Sequence, residues 1–237
     1  MLNKERNGYV VVAAIVLTAL AISIGLYLST KNTQNNIKQS GDTVTVNIDD
    51  DAIIGNRGTA KVAIVEFSDY ECPYCKLFKN GTMNSLVESY VNKEDVILVF
   101  RDLPLAFHNP AAEREATAAE CAREQGGDSV FFDYHDKIFD NTPGGGKGIK
   151  NSKLIAFSEE LSLDKDMFET CLKSGKYIKE VRKDASDAAK IGIKGTPGFV
   201  IGVLDENGNV TGEKISGNKP LIEFSSLIDK YLSGSNE

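Results

Sequence analysis

The 237-residue chain has few of the side chains that bind metal ions through sulfur or imidazole: four cysteines and two histidines. Only Cys72 and Cys75 form a close pair, whereas Cys121 and Cys171 are isolated from each other and the two histidines form no pair. A structural zinc site usually needs two ligand pairs at close spacing. The cysteine and histidine pattern therefore argues against a zinc site.

The chain also lacks a basic cluster and an internal repeat. It carries 34 Asp and Glu against 27 Lys and Arg, for a formal net charge of −7. Nucleic-acid-binding proteins concentrate Lys and Arg on one face, so we expect no nucleic-acid partner. The run Pro-Gly-Gly-Gly at 143–146 predicts a flexible surface loop between helices. The acidic run at 49–51 is interpreted as a solvated turn, and we predict no bound metal.

What is present is the dithiol motif Cys72-Pro73-Tyr74-Cys75. It follows a strand-like stretch at 61–68 and opens a helix-like one. Two cysteines at this spacing, at a strand-to-helix turn, can close into a strained disulfide that is easily reduced. Thiol–disulfide exchange is therefore the first functional hypothesis.

The N-terminal segment 8–28 is apolar and carries no charge. At ~1.5 Å per residue it forms about 30 Å of helix, enough to cross the hydrocarbon core of a membrane. Lys4 and Arg6 precede it, which predicts a cytoplasmic tail at 1–7 and a domain on the outer side. We therefore expect a single-pass protein of the cell membrane whose catalytic domain is extracytoplasmic, where disulfides persist.

A cleaved signal peptide is the alternative to this anchor. The Ala-Leu-Ala sequence at 19–21 fits a cleavage site, but it lies inside the apolar run, which is longer than the usual h-region of about 7–15 residues. An uncleaved signal anchor is favoured. A polar linker and N-terminal extension is predicted at 29–57, followed by one domain at 58–237, which is long enough for a sizeable core.

The start of this domain has a strand–helix–strand pattern. The stretch 61–68 is almost continuously apolar, as in a strand covered on both faces. A helix is predicted from 72 toward 91, with a break at Asn80-Gly81, and a second strand at 95–101. This order predicts two parallel strands joined by a right-handed crossover.

A helical block of roughly ninety residues, at about 104–193, follows the second strand. The chain then ends in a β-hairpin and a closing helix. The outer parts together are those of an α/β thioredoxin fold with a mixed sheet, and the block is a large helical insertion. The patterns place the helices of the block at 109–124, 128–139, 152–161, 164–172 and 176–191, the hairpin strands at 199–204 and 210–216, and the last helix at 220–232.

At this point the chain resembles the DsbA family of extracytoplasmic thiol–disulfide oxidoreductases, particularly its membrane-anchored forms. The resemblance extends over nearly the whole domain. It is carried by Val-Glu-Phe-Ser-Asp-Tyr-Glu-Cys-Pro-Tyr-Cys at 65–75, Phe-Arg-Asp-Leu-Pro at 100–104, Ala-Ala-Glu-Cys-Ala at 118–122 and Ile-Lys-Gly-Thr-Pro-Gly-Phe at 193–199.

The two cysteines of the motif have different expected roles. Cys72 should lie at a helix N-terminus, where backbone N–H groups and the helix dipole lower the pKa of its thiol. It is then both the nucleophile and a good leaving group. Cys75, one turn further and more buried, is the expected resolving thiol. Pro73 and Tyr74 between them are expected to modulate the stability of the thiolate.

The resemblance implies two further site residues outside the motif. Pro197 would be a cis-proline lying against the cysteines, with the backbone of Thr196 free to pair with an extended substrate. The alternative is an ordinary trans loop proline. Glu66 would be a buried acid that relays a proton to or from Cys75, unless it is an end-of-strand glutamate that reaches water.

Cys121 and Cys171 fall in two predicted helices of the insertion. We expect a structural disulfide that clamps these helices, because an oxidising compartment seldom leaves two thiols free. The alternative is that they are two small buried side chains that never meet.

The remaining polar residues near the motif are assigned no catalytic role. Asp69, Glu71 and Lys76 are expected to be solvated. His135 lies among aromatic residues and is expected to pack between helices, and His108 is interpreted as a residue near a helix start.

The predicted function is dithiol oxidation of secreted or cell-envelope proteins. A reductase with the same site, an isomerase and a non-redox binding domain are the alternatives; an isomerase usually needs a dimerisation module, for which 40–59 is too short. No cofactor is expected beyond the redox-active disulfide itself. The resemblance implies reoxidation by a quinone-linked membrane protein of the DsbB or vitamin-K-epoxide-reductase (VKOR) type, and the protein is expected to be a monomer.

Overall fold

The computed structural model describes residues 43–234. The predicted tail at 1–7, the anchor at 8–28 and the first part of the linker lie outside the described residues. Between 43 and 234, no helix combines the length and the apolar character that crossing a membrane requires.

A six-stranded mixed sheet forms the centre of the domain, in the order β1-β6-β5-β3-β4-β2. The central pair β3 and β4 is parallel, as the strand–helix–strand pattern predicted, and every other neighbouring pair is antiparallel. All seven residues of β3 and all seven of β4 are buried. The strands are β1 (Val44–Asn47), β2 (Ala52–Ile54), β3 (Val62–Ser68), β4 (Val96–Asp102), β5 (Gly198–Leu204) and β6 (Asn209–Ser216).

The two edge strands lie within the segment predicted as linker. In β1, Val44 pairs with Gly212, and in β2, Ala52 pairs with Phe100. The compact unit therefore begins near residue 42, earlier than the predicted boundary at 58. Strands of three and four residues contain too few alternations to stand out in a sequence, and here they owe their conformation to pairing with longer neighbours.

Seven helices cover the sheet and form the insertion in the described part of the chain. The predicted break at Asn80-Gly81 is a π-helical turn at Lys79–Met83. The longest helix is interrupted at Gly127, which has φ 70° and ψ −164° and separates the two helices predicted there. The helices are α1 (Pro73–Phe78), α2 (Asn84–Ser89), α3 (Ala111–Asn141), α4 (Asn151–Glu160), α5 (Lys165–Ser174), α6 (Ile178–Lys190) and α7 (Leu221–Gly234).

The two faces of the sheet are covered by different apolar clusters. Alternate residues of a strand point to opposite faces. Val62 and Ile64 pack in one cluster with Phe78 of α1, whereas Ala63 and Val65 pack in another. Glu66 continues the first series, so its carboxyl group points to the face that carries α1.

A buried arginine lies on the other face and ties the N-terminal strands to α6. Arg101 is fully buried, and its guanidinium pairs with Asp184, with Asp187 Oδ2 at 3.1 Å and with Asp51 Oδ2 at 2.8 Å. The Asp51 side chain is 5% exposed, so the interpretation of 49–51 as a solvated turn is wrong at this residue. The carboxylates of Asp51, Glu180 and Asp184 lie close enough to share a cation, and the Arg101 guanidinium supplies a positive charge to two of them.

Candidate active site

The Cys72 thiol occupies the N-cap position of α1. Its backbone is extended (φ −83°, ψ 122°), and Pro73 takes the first helical position, where a missing N–H costs no hydrogen bond. Cys75 lies one turn further along and is fully buried. Both cysteines are free thiols in this structure, so it represents the reduced form of the pair.

The surroundings of Cys72 stabilise its thiolate. The hydrogen bond from the Cys75 thiol is the largest cause that lowers the pKa of Cys72, to about 6; Thr196 and the backbone N–H groups of Tyr74 and Cys75 add to it, while burial opposes it. The Cys72 Sγ also lies 3.4 Å from the Thr196 carbonyl oxygen. At neutral pH, Cys72 is thus mostly a thiolate.

Cys75 is affected in the opposite direction. Burial raises the pKa of Cys75 well above its ordinary value, and the negative charges of Cys72 and Glu66 raise it further. The reduced pair therefore holds one thiolate and one thiol at neutral pH. Only the Cys72 sulfur is poised to react with a substrate disulfide or to leave from one.

Glu66 is buried on β3, with 1% of its surface exposed. Burial raises the pKa of its carboxyl group to about 8, so it holds a proton at neutral pH. Its Oε2 atom makes no hydrogen bond within the protein. The alternative of a glutamate that reaches water therefore does not apply.

The Thr196-Pro197 bond is cis, the form that the resemblance implies. The Pro197 carbonyl accepts a hydrogen bond from Gly217 N at 2.7 Å, which fixes this turn to the end of β6. The Thr196 carbonyl faces Cys72. Tyr74, between the two cysteines, is 61% exposed.

Asp69 is buried, so the expectation that it is solvated is wrong. Its Oδ2 accepts hydrogen bonds from Leu105 N at 2.7 Å and from His108 Nδ1 at 2.8 Å, and its Oδ1 accepts one from Glu71 N at 2.8 Å. The Asp69 backbone carbonyl accepts from Cys72 N at 3.0 Å. The Asp69–His108 pair thus fixes the segment after β4 against the turn that holds Cys72.

Glu71 is also buried, again against expectation, whereas Lys76 is half-buried. The Glu71 carboxylate bonds to Thr142 Oγ1 and accepts from Gly148 N at 3.1 Å, and its backbone carbonyl accepts from Gly145 N at 2.9 Å. The glycine loop after α3 is therefore anchored to the residue that precedes Cys72. The sequence contained the loop but no sign that it would cover this glutamate.

Cys121 and Cys171 form a disulfide, as the clamp hypothesis expected. The bond joins α3 to α5 across a sequence separation of 50, with the Cα atoms 5.8 Å apart. Both residues belong to the apolar cluster of the insertion.

His135 packs among aromatic rings, as predicted. Its ring lies edge-on to Phe100 and Phe139, with centroid distances of 5.0 and 4.8 Å. Burial lowers the pKa of His135, so it is neutral and serves the packing of α3 against β4.

A dithiol at a helix N-terminus, beside a cis-proline and above a buried acid, defines the thiol–disulfide oxidoreductases of the thioredoxin fold. The family model described as Thioredoxin matches residues 47–230. The chain therefore belongs to the thioredoxin family, and within it the helical insertion and the site make it a DsbA-like protein.

The chain is similar to one solved structure and two further proteins over most of its length. The crystal structure of Pseudomonas aeruginosa DsbA2 is 31% identical, with a TM-score of 0.62, and the match covers 76% of this chain and 92% of that one. Disulfide bond formation protein D of Bacillus subtilis is 28% identical over 176 residues, 69% of this chain and 73% of that protein. The Na(+)/H(+) antiporter NhaA 3 of Salinispora tropica is 32% identical over 173 residues, 73% of this chain. The chain spans only 25% of the length of that antiporter.

Proposed function

We propose that the protein is a thiol–disulfide oxidase that donates the Cys72–Cys75 disulfide to reduced secreted or cell-envelope proteins. The opposite shifts of the two pKa values support this most directly: that of Cys72 falls to about 6 and that of Cys75 rises. A stabilised Cys72 thiolate stabilises the reduced pair, and a stabilised reduced form makes the disulfide a stronger oxidant. This favours donation of a disulfide over donation of electrons.

In the proposed reaction, a substrate thiolate attacks the Cys72 sulfur and breaks the Cys72–Cys75 bond. Cys75 leaves as a thiolate and takes the proton of Glu66. A second substrate thiolate then attacks the substrate sulfur of the mixed disulfide, and Cys72 leaves as the stabilised thiolate. Two electrons pass from the substrate dithiol to the enzyme pair, and the substrate gains a disulfide.

The surface next to the nucleophile suits an unfolded polypeptide. Tyr74 and Leu77 on α1 are 61% and 56% exposed, and Phe107, beside the Asp69–His108 pair, is 75% exposed. Exposed apolar side chains of this size mark interaction sites. The Thr196 backbone can add hydrogen bonds to an extended substrate.

We further propose that 8–28 anchors the protein in the cell membrane, with the domain on the extracytoplasmic side. The Cys121–Cys171 disulfide supports an oxidising compartment. In this location a quinone-linked membrane protein of the DsbB or VKOR type reoxidises the pair, and the protein acts as a monomer without any other cofactor. Protease accessibility of the domain on intact cells, compared with lysed cells, tests the location.

The reduction potential of the Cys72–Cys75 pair tests the direction of the reaction. Equilibration of the soluble domain with glutathione buffers, followed by alkylation, measures it. An oxidase should lie near the oxidising end, about −120 mV on the scale of known family members. A potential near about −270 mV would instead identify an electron donor and favour a reductase.

A further inference from the structure

The glycine loop, residues 142–150 between α3 and α4, is held at its end by two buried carboxyl groups. Glu71 Oε2 accepts a hydrogen bond from Gly148 N at 3.1 Å, and Glu115 Oε1 accepts one from Ile149 N at 2.7 Å. Both glutamates are fully buried. Two consecutive N–H groups of the loop are therefore bonded to acidic side chains from different parts of the chain, the turn after β3 and the helix α3.

Two more side-chain contacts attach the loop at its ends. Thr142 Oγ1, in the first residue of the loop, bonds to the Glu71 carboxylate. Arg114 Nη2 donates to the Ile149 carbonyl at 3.0 Å. Burial of two carboxyl groups is costly unless each has partners, and here the partners are the groups of this loop. The buried glutamates therefore serve to hold the loop in one place.

The middle of the loop is bonded to the peptide unit of the nucleophile. Gly145 N donates at 2.9 Å to the Glu71 carbonyl, which belongs to the peptide bond between Glu71 and Cys72. The N–H of the same peptide unit, that of Cys72, donates to the Asp69 carbonyl at 3.0 Å. Both polar groups of this peptide unit are therefore held, and the loop supplies one of the two hydrogen bonds.

The orientation of this peptide unit matters for the exchange reaction. It determines where the Cys72 sulfur lies, now 3.4 Å from the Thr196 carbonyl oxygen, and hence how the sulfur meets an incoming thiolate. Misplacement of a reacting group by ~1 Å can slow a reaction about a hundredfold. A loop that fixes the peptide unit can therefore raise the rate without touching the substrate.

Glu115 carries a proton at neutral pH. Burial raises the pKa of its carboxyl group to about 8; the Ile149 N–H acts in the opposite direction, and Glu71 raises it further, both by its charge and as an acceptor for the Glu115 proton. Among the residues that the structure describes, no N–H or O–H group donates to Glu115 Oε2. This is expected of a carboxyl oxygen that carries the proton itself.

The groups around Glu115 offer little compensation for a second negative charge. Arg114 lowers the pKa of Glu115 but does not outweigh burial and Glu71. Burial raises the pKa of both nearby tyrosines, so they are neutral, and Lys147 and Lys150 of the loop are exposed. The titratable and charged groups that face Glu115 from the turn after β3 and from the two halves of α3 are Glu71, Tyr70, Arg114 and Tyr134.

We propose that Glu71 and Glu115 are positioning residues for the exchange reaction, which hold the glycine loop against the peptide unit of Cys72. The inference rests on the proposed oxidase function. The attachment requires the proton on Glu115. When this proton passes to water at high pH, two buried carboxylates repel each other, and the loop moves away to admit water. The peptide unit of Cys72 then loses the hydrogen bond from Gly145, and the oxidation of substrates slows.

The Glu115→Gln variant of the full chain tests this role. Glutamine keeps the oxygen that accepts from Ile149 N, and its amide group donates to Glu71, but it cannot ionise. The oxidised proteins are mixed with a peptide dithiol at pH 7 to pH 9, quenched with acid and scored for loss of the Cys72–Cys75 disulfide. We expect the rate of the variant, divided by that of the wild type, to rise about fivefold over this range, a modest part of the cost of misplacement. Contributions of other titrating groups are shared and cancel in the ratio.

Glu120→Gln is the matched control. Glu120 is another buried acid of α3, and burial raises its pKa to about 7. Its partner is Arg123 on the same helix, at 3.7 Å, whereas the loop donates its hydrogen bonds to Glu71 and Glu115. The rate of this variant relative to the wild type should therefore stay constant from pH 7 to pH 9.

Trypsin measures the loop without the redox reaction. Lys147 is exposed in the loop, and a loop that has left its place is a better substrate for cleavage after this residue. Mass spectrometry gives the rate of this cleavage. The cleavage rate of the wild type, divided by that of Glu115→Gln, should rise between pH 7 and pH 9, and the pH dependence of trypsin itself cancels. Melting temperatures at pH 7 establish that both proteins are folded.

Three results would overturn the positioning role. Constant ratios of oxidation and of cleavage from pH 7 to pH 9 show that the loop does not depend on the proton of Glu115. A change in only one of the two ratios separates the loop from the reaction and contradicts the role as well. If the wild-type protein oxidises no peptide at any pH, the proposed function is wrong and the positioning role falls with it, whereas the cleavage ratio still decides whether Glu115 holds the loop.

Discussion

The domain contains two cysteine pairs that differ in almost every physical respect. Cys72 and Cys75 lie on one helical turn and are free thiols, whereas Cys121 and Cys171 join two helices of the insertion and are bonded. The first pair is surrounded by the backbone N–H groups of the helix N-terminus and by the buried carboxyl group of Glu66. The second pair lies in an apolar cluster.

The reactivity of a cysteine in this domain therefore depends on the groups that surround its sulfur. A thiolate at Cys72 is stabilised by a neighbouring thiol and by N–H groups of a helix N-terminus. Cys121 is fully buried and Cys171 is 8% exposed, so an attacking thiolate has little access to either sulfur. The first pair can therefore exchange its bond with substrates, and the second can only hold helices together.

Removal of the reactive sulfur should have the largest effect on the oxidation rate. We expect Cys72→Ser to reduce the oxidation of a peptide dithiol to the uncatalysed rate, because the attacked sulfur is gone. Cys75→Ser should instead accumulate a mixed disulfide when it is mixed with an oxidised peptide: the Cys72 thiolate attacks the peptide disulfide and releases one peptide thiolate, and no Cys75 thiol is present to displace the other half. Mass spectrometry after acid quenching measures both.

The pH dependence of Cys72 alkylation tests whether the surroundings of Cys72 stabilise its thiolate. The rate in the reduced protein should rise with a midpoint near pH 6, where the thiolate forms. A midpoint near the ordinary thiol value of about 8.5 would mean that the helix N-terminus does not activate this sulfur. Alkylation of the Cys72→Ser variant is the control, and its buried Cys75 should react slowly at every pH.

Removal of the second pair should affect stability and not chemistry. The double substitution Cys121→Ala with Cys171→Ala opens a loop that the sequence separation of 50 defines. We expect a loss of about 4 kcal/mol in the free energy of unfolding, measured by urea denaturation. The oxidation rate per folded molecule should stay at the wild-type value.

The single variant Cys121→Ala provides the control for this loss. It removes the same bond but leaves the Cys171 thiol, so it should be destabilised by a similar amount. An unchanged unfolding midpoint in both variants would show that the disulfide contributes nothing to the fold. A fall in the oxidation rate per folded molecule would show that the two pairs are not independent.

Some features of the candidate site were predictable from the sequence, and others were not. The CxxC spacing and the turn at Thr196-Pro197 are local patterns, and local patterns determine where the chain turns and which helix begins. The burial of Glu71 was not predictable, because the loop that covers it lies about seventy residues later and contributes backbone N–H groups, which have no sequence signature. Asp69 was missed for the same reason, since its partners His108 and Leu105 come from beyond β4.

The fold shows the same division. The long apolar strands and the breaks at Asn80-Gly81 and Gly127 depend on residues that are neighbours in the sequence. The central strands and the helices of the insertion were therefore predicted. The edge strands β1 and β2 depend on partners far along the chain. Their few residues carry no pattern of their own.

Glu66 should make the stability of the domain depend on pH. Its pKa is about 8 in the folded protein and 4.5 ordinarily, so the folded state holds the proton more tightly, and its contribution to stability is complete below 4.5 and lost as the pH rises toward 8. Between pH 6 and pH 8, Glu66→Gln should remove a decline of about 2 kcal/mol in the free energy of unfolding. Urea denaturation at several pH values measures the difference between the two proteins, in which the shared contributions of other buried acids cancel. Parallel curves for the two proteins would mean that Glu66 is not protonated in the fold.

The smallest effect expected lies in the helix that carries Cys171. Asp164 caps α5 by accepting a hydrogen bond from Met167 N at 2.9 Å, so Asp164→Ala should cost about 1 kcal/mol in the free energy of unfolding. Asp166, in the first turn of the same helix, is the matched control, and Asp166→Ala should cost only a few tenths of a kcal/mol through the helix dipole. Both variants should oxidise the peptide at the wild-type rate, because nothing near Cys72 changes. If Asp164→Ala slowed the oxidation, the insertion would act on the chemistry of the first pair as well as on the stability of the second.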